Sequence, residues 1–310
     1  MHKKISVGLT ITITIFTIMV TALITTAVTM SIYSTLVSDL PEREAMYDSL
    51  SEIDTIIRNE YYGILEEETV NDAITDGYLS TLTIGRNYMM TADEFAEYQK
   101  KQNSTDIASV EFRKHSGVGY IKITDFTDST PDEFKAAVNS LLNESVTGIV
   151  IDVRDTDSIN IKAAAMIIDR IVPLATDGTK SIATAVDRNN TNIVVFATDT
   201  ESVSVPVSVI VNEKTSGAGE LLACDIRDFG KGTVVGKKTA GNGSYQKVFE
   251  LSDGSAIVLT VAKLLPYKSD CYDGIGVMPD YEAALNQKTD DLSKDNQFMQ
   301  AYAAVTAMQK

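Results

Sequence analysis

An uncharged run from Ile5 to Ser38 opens this 310-residue sequence and limits what its first part can become. A bilayer core offers no water to backbone amides, so a crossing segment must be helical and about 20 mostly apolar residues long. The stretch ISVGLTITITIFTIMVTALITTAVTM meets that length, although it is rich in Thr. A lipid-facing Thr can bond its own helix carbonyls, so its cost is small. A cleaved secretory signal has a shorter apolar region, roughly 7–15 residues, and a small-x-small exit; MSIYSTLVSDL is a poor match. Residues 1–4 therefore read as a cytoplasmic tail and 5–37 as an uncleaved transmembrane anchor. Lys3 and Lys4 hold the N-terminus in the cytoplasm by the positive-inside rule. The expectation is a single-pass cell-membrane protein whose main domain is extracytoplasmic.

The formal net charge of −16 argues against nucleic acid as a partner, because phosphate binding needs clustered Lys and Arg. It equally argues against a basic surface adhering to anionic lipid. Cys224 and Cys271 are too few for a disulfide framework. No Cys-x-x-Cys or His-x-x-x-His spacing occurs, so neither a metal site nor any cofactor is expected. Of the two histidines, His2 adjoins the start Met, which leaves His115 as the one plausible imidazole base.

Residues 38–105 read as a helical module. In MYDSLSEIDTIIRNEYYGIL, Leu50, Ile53, Ile56, Ile57 and Tyr61 recur at the spacing of one buried helix face. Thr91 and Glu94 form a capping box opening TADEFAEYQKK. From Val118 onward, short β runs alternate with helices. Thr130-Pro131-Asp132-Glu133 marks a helix start. GIVIDV, IVVFAT and VPVSVIV are nearly continuous apolar strands, suited to a sheet covered on both faces. GELLACDIRDFG is a helix ended by Gly230, and DNQFMQAYAAVTAMQ is a last helix. The fold class is α/β, with a core over 106–285 and a C-terminal helix over 286–310.

From Gly119 the sequence resembles a known family. GYIKITDFTDSTPDEF is similar to the first core strand and helix of the carboxy-terminal processing (tail-specific) serine peptidases. IDVRDTDSINIKAAAMIIDRIVP, ending at Pro173, is similar to that family's Leu-Asp-Leu-Arg-Asn-Asn-Pro-Gly-Gly segment. VNEKTSGAGELLACDIRDFGKGTVVGKKTAGNGSYQ resembles its nucleophile segment through to the catalytic Lys and Gln, and GVMPD its closing Gly-x-x-Pro-Asp. The match runs over about 118–281. It implies a ClpP/crotonase-like ββα-repeat core. It also implies a substrate-gating PDZ domain before the core, yet only 31 positions separate Tyr88 from Gly119. A domain needs at least ~50 residues, so that device is expected to be missing.

The resemblance further implies a Ser nucleophile, a Lys general base and an assisting Gln. Aligned through Val-Asn-Glu and the following Glu, the nucleophile position holds Gly217. The base position, 25 residues later, holds Asn242; the Gln is retained as Gln246. A Ser hydroxyl attacks only when a base takes its proton, and Lys is a base only when burial makes it neutral. Gly217 offers no attacking atom, and an amide is no base. Loss of the nucleophile alone cost about 10⁶ in turnover in one serine protease. The Pro-Gly-Gly turn that lends an oxyanion donor aligns to Asp157, Ser158 and Ile159. There an acid opposes developing negative charge, and Ile tolerates poorly the backbone that Gly reaches.

Competing readings concern the neighbours. A shifted dyad would use Ser216 with Lys238, flanked by Lys237 and Lys247. Ser216 reads instead as a helix N-cap, and Lys237 and Lys238 as solvated. His115 reads as an exposed turn residue. Asp152, Asp155 and Asp157 read as a solvated strand end, since they lack the calcium-loop pattern. Cys224 reads as a small core residue. The favoured reading is a non-catalytic binding or regulatory scaffold whose partners are peptide C-termini or an active paralogue. The alternatives are an active serine endopeptidase with a shifted nucleophile, and a structural envelope protein.

Overall fold

In the computed structural model the described residues are 7–37, 40–104, 108–173, 181–198 and 202–308. The tail over 1–4, on which the expected orientation rests, lies outside them. The chain divides into two compact units, Met1–Asp72 and Ala73–Lys310.

The smaller unit holds α1 (Val7–Val37) and α2 (Leu40–Glu60), and α3 (Glu67–Leu79) begins in it. Ile13–Ser31 of α1 is long and apolar enough to cross a membrane, a property that signal sequences share, and none of it is buried. Thr17, Thr21 and Thr26 donate to the carbonyl four residues back, at 2.8–2.9 Å, as expected for Thr in an apolar helix. Arg58 grips Glu67 with both terminal nitrogens and Asp54 with its Nε. The stripe expected to be buried on α2 is instead exposed: Ile53 and Ile56 are 52% and 54% accessible. Helical spacing identifies a shared face, but burial requires a second surface, and this unit folds none onto it.

The larger unit continues with β1 (Tyr88–Met90), α4 (Ala92–Asn103), β2 (Val110–His115), β3 (Val118–Ile123), α5 (Thr130–Asn143), β4 (Ile149–Asp152) and β5 (Asp157–Ser158). Then come α6 (Ile161–Ile171), β6 (Ser181–Val186), β7 (Asn192–Ala197), β8 (Val207–Val211), β9 (Ser216–Gly217) and α7 (Ala218–Asp228). The chain ends through β10 (Gly232–Gly236), β11 (Ser244–Glu250), β12 (Ala256–Leu265), β13 (Tyr281–Glu282) and α8 (Asn296–Ala307). The stretch between Tyr88 and Gly119 is thus used by β1, α4 and β2. The capping box forms as expected, with Thr91 and Glu94 reciprocally bonded. Ser129 rather than Thr130 is the cap residue of α5.

A six-stranded sheet in the order β13-β10-β8-β4-β3-β2 is parallel except at β2, which joins β3 antiparallel. Side chains alternate across a strand, and both faces are covered. Ile121, Ile123, Ile149, Ile151, Val209 and Val211 enter the main core beneath α5, α6 and α7. Their neighbours Val118, Tyr120, Val150 and Ile210 face α8 through Phe298, Ala301 and Val305. Each fully buried Ile or Phe contributes about 1.5–3 kcal/mol. A second, antiparallel sheet runs β1-β12-β6-β7, with β11 also on β12. Its β7 is half-exposed rather than covered on both faces, because it is the end strand of that order.

Two further expectations are corrected. Asp152 is not solvated: it is 1% exposed, accepts from the Tyr120 hydroxyl at 2.7 Å and pairs with Arg154, which also reaches Asp295 at 2.8 Å. Burial, followed by the Asp152 charge, pushes the Tyr120 phenol up. His115 ends β2, half-buried, with its ring edge-on to Phe298 at 5.3 Å and to Tyr302 at 6.4 Å. It serves as an aromatic packing surface, far in role from a base.

Candidate functional site

Ligand sites in α/β sheets lie beyond the carboxyl ends of the parallel strands. Two chains of residues leave those ends here and meet. β4 stops at Asp152, and the chain turns through Asp155, held at φ 61° and tied to Asn212 by two hydrogen bonds, at 3.0 and 3.1 Å. β8 stops at Val211 and turns through Asn212–Thr215. The two then run side by side as β5 and β9, with Asp157 opposite Ser216 and Ser158 opposite Gly217. Thr215 Oγ1 donates to the Val153 carbonyl at 2.9 Å, and Ser216 N–H to the Thr156 carbonyl at 2.8 Å, which fixes the register.

Gly217 is the N-cap of α7, at φ 59° and ψ −107°, where an L side chain is strained. A Cβ placed there would stand 2.3 Å from the Ser158 carbonyl oxygen and 3.6 Å from Asn242 Nδ2. Positions 217 and 242 therefore face each other, with Ser158 pressed against the same point. Asn242 is 5% exposed, donates from Nδ2 to Gln246 Oε1 at 3.3 Å, and leaves its Oδ1 without a partner among the described residues. Gln246 donates in turn to the Arg86 backbone carbonyl. Arg86 clamps Asp157 at 2.8 Å. The segment just before β1 thus lies against the site, through Arg86.

Sequence reading missed the residue that organises this arrangement, Glu220. It is wholly buried on the first turn of α7 and accepts four hydrogen bonds. Oε1 takes Thr239 Oγ1 at 2.5 Å and Gly241 N–H at 2.6 Å; Oε2 takes Asn242 N–H at 2.7 Å and Gly217 N–H at 2.9 Å. One carboxylate thereby joins the 217 turn to the 239–242 loop. Burial raises its pKa, and the four donors only partly offset this. An acid three residues past a helix cap is a signal available in sequence, but its partners twenty residues on are not.

The shifted candidates do not assemble. Ser216 is not the N-cap; it lies in β9, 2% exposed, and its Oγ has no hydrogen-bond partner among the described residues. No base holds its proton. Lys237 pairs with Glu282 at 2.7 Å, and Lys238 and Lys247 are exposed. Ser158 Oγ donates to the Phe126 carbonyl at 3.1 Å. Ile159 packs beside Phe95, Tyr98 and Val248. With Gln246, Gln102 and Asn160 it lines a groove between α4 and β11 that opens next to the site. Among the described residues, β11 pairs with β12 alone.

Known proteins are similar to this chain. Carboxyl-terminal-processing peptidase 3 of Arabidopsis thaliana chloroplasts is 31% identical over 165 residues, 53% of this chain and 31% of that protein. The carboxyl-terminal-processing protease of Synechocystis is 33% identical over 169 residues, 54% of this chain and 38% of that one. The chain thus spans about a third of the length of the curated relatives it matches. Among solved structures, the photosystem II D1 C-terminal processing protease superposes with a TM-score of 0.50 at 25% identity, covering 58% of this chain and 49% of that one. A lipoprotein from Streptococcus agalactiae shares the fold, with a TM-score of 0.59 at 14% identity over 79% of this chain and 84% of that one. The model of peptidase family S41 matches residues 117–283, the stretch that carries both sides of the 217–242 pair, and the chain belongs to that family.

Proposed function

We propose that this chain is a non-catalytic member of its family that binds extended peptide or protein segments at the emptied site, as a scaffold or as a regulator of an active paralogue. The observation that carries the reading is the direction of the missing side chain at Gly217. It points at a carbonyl oxygen and a carboxamide, neither of which accepts a proton at working pH. The N–H of Gly217 is taken by Glu220. The groove beside Gln246 and the unpaired edge of β11 are suited to strand addition by an extended ligand. The core is read as a ClpP/crotonase-like ββα repeat. α1 is read as an uncleaved anchor with a cytoplasmic N-terminus, which presents the larger unit outside the cell membrane.

The test uses the full chain in detergent micelles, a fluorophosphonate probe and a library of peptides with free C-termini. The expected result is no covalent labelling, no cleavage, and saturable peptide binding that a Val248→Arg change in the groove weakens. Labelling that disappears in Ser216→Ala would establish the shifted-nucleophile enzyme instead. Absence of both labelling and binding would favour a structural envelope role.

A further inference from the structure

The far end of α7 carries buried chemistry that the family site does not use. Cys224, Asp225 and Asp228 present one sulfur and two carboxylate oxygens, all within 4.8 Å of one another. Loop anchoring explains part of this cluster. Asp228 accepts from the Lys268 and Ser269 amides at 3.2 and 2.6 Å and from the Ser269 hydroxyl at 2.6 Å. Asp225 Oδ1 accepts from the Tyr267 amide at 3.0 Å. Anchoring leaves two atoms unexplained. Asp225 is wholly buried, yet its Oδ2 has no hydrogen-bond partner among the described residues. Tyr272 is 4% exposed, its hydroxyl is likewise unpartnered, and its ring packs against Cys224. Buried polar atoms are normally paired, so each orphan requires a cause.

We propose that Cys224, Asp225 and Asp228, with Tyr272 packed on Cys224, form a binding site for a divalent cation of the zinc class. A thiolate among carboxylates selects a borderline metal over magnesium or calcium, which prefer oxygen alone. Sulfur and oxygen ligands on tetrahedral zinc stand roughly 3.5 Å apart, given bonds of about 2.3 and 2.0 Å. Cys224 Sγ and Asp228 Oδ2 are already 3.9 Å apart. Asp228 is only half-buried and gives the ion its way in. Binding would form the metal–sulfur and metal–oxygen bonds and release the thiol proton of Cys224 to solvent.

The site would staple α7 to the loop after β12. That loop continues to Asp273, which accepts from Gly243 N–H and Ser244 Oγ, both at 3.0 Å, directly behind Asn242. Cysteine and histidine spacing gave no hint of it, because two of the three ligands are carboxylates and the fourth group comes from the loop.

The test is a titration of the metal-stripped full chain, in detergent, with Co²⁺. The expected result is a thiolate-to-cobalt charge-transfer band in the near ultraviolet that saturates at one equivalent and is displaced by one equivalent of Zn²⁺, with proton release in weak buffer. Cys224→Ala abolishes the band and Cys271→Ser keeps it. Tyr272→Phe, which retains the ring, weakens binding about 10-fold. A wild-type protein that shows no saturable band overturns the proposal whatever the variants do. So does a band that survives Cys224→Ala and vanishes in Cys271→Ser.

Discussion

The two ends of α7 each bury a carboxylate, and they treat it in opposite ways. At the N-terminal end Glu220 has four donors on its two oxygens. At the C-terminal end Asp225 has one donor, on one oxygen. The first is a finished structural joint that holds the 217 turn against the 239–242 loop. The second is a group left waiting for a partner. The contrast shows that the turn and the loop that carry positions 217 and 242 are tied together by a fully satisfied buried acid. It also shows that burial alone does not tell a structural acid from a binding one; the donor census does.

Glu220→Gln is the strongest way to break this comparison. An amide accepts through one oxygen only, so two of four buried donors lose their partner at about 1–3 kcal/mol each. Thermal unfolding should show the loss. A change below about 1 kcal/mol would mean that the joint is not structural. The sign of its pH dependence is fixed as well. The folded pKa of Glu220 lies above the unfolded value, so its contribution is most favourable at acid pH. Stability should fall as pH rises above 4.5, the unfolded value, until the folded pKa is passed. This slope should flatten in the Gln variant.

At the other end of the helix, zinc should stabilise the wild type by about 2.7 kcal/mol at 100 times its dissociation constant. Cys224→Ala should lose that gain while retaining its metal-free melting transition. Equal stabilisation of both proteins would show the metal acting elsewhere.

Placing Ser and Lys at positions 217 and 242 gives a smaller change in stability and a sharper chemical answer. Gly217→Ser with Asn242→Lys should cost about 1–3 kcal/mol through strained backbone, since the new Cβ meets the Ser158 carbonyl at 2.3 Å. No peptide turnover should appear. Recovered cleavage would mean that the β5 turn moves aside easily. The smallest effect is expected from Ser216→Ala. It removes a buried, unpartnered hydroxyl and should gain about 1 kcal/mol in denaturant unfolding. A loss would indicate that Ser216 Oγ has a partner after all.

Much of this is legible in the residues alone. The alternation of apolar runs and capped helices points to the α/β class. The segment from Val211 to Gln246 carries the family likeness, because a turn, a helix start and a loop must keep their spacing for two positions to face each other. In the structure position 217 lies against Asn242, and Asn242 bonds Gln246. Less is legible where a contact partner sits far away in the chain. Asp152 looks solvated because nothing local reveals Tyr120 or Asp295, and the α2 stripe looks buried because periodicity reports a face and not what covers it.

By itself, then, the sequence determined the apolar N-terminal helix, the strands of the parallel sheet and the residue types at 217 and 242. These are matters of side-chain type and period, which local physics reads directly. Only the tertiary structure decided that Glu220 bonds both halves of the site, that Ser158 closes over Gly217, and that Tyr272 packs against Cys224. Hydrogen-bond satisfaction depends on atoms brought together across dozens of residues, and no window of sequence contains both partners.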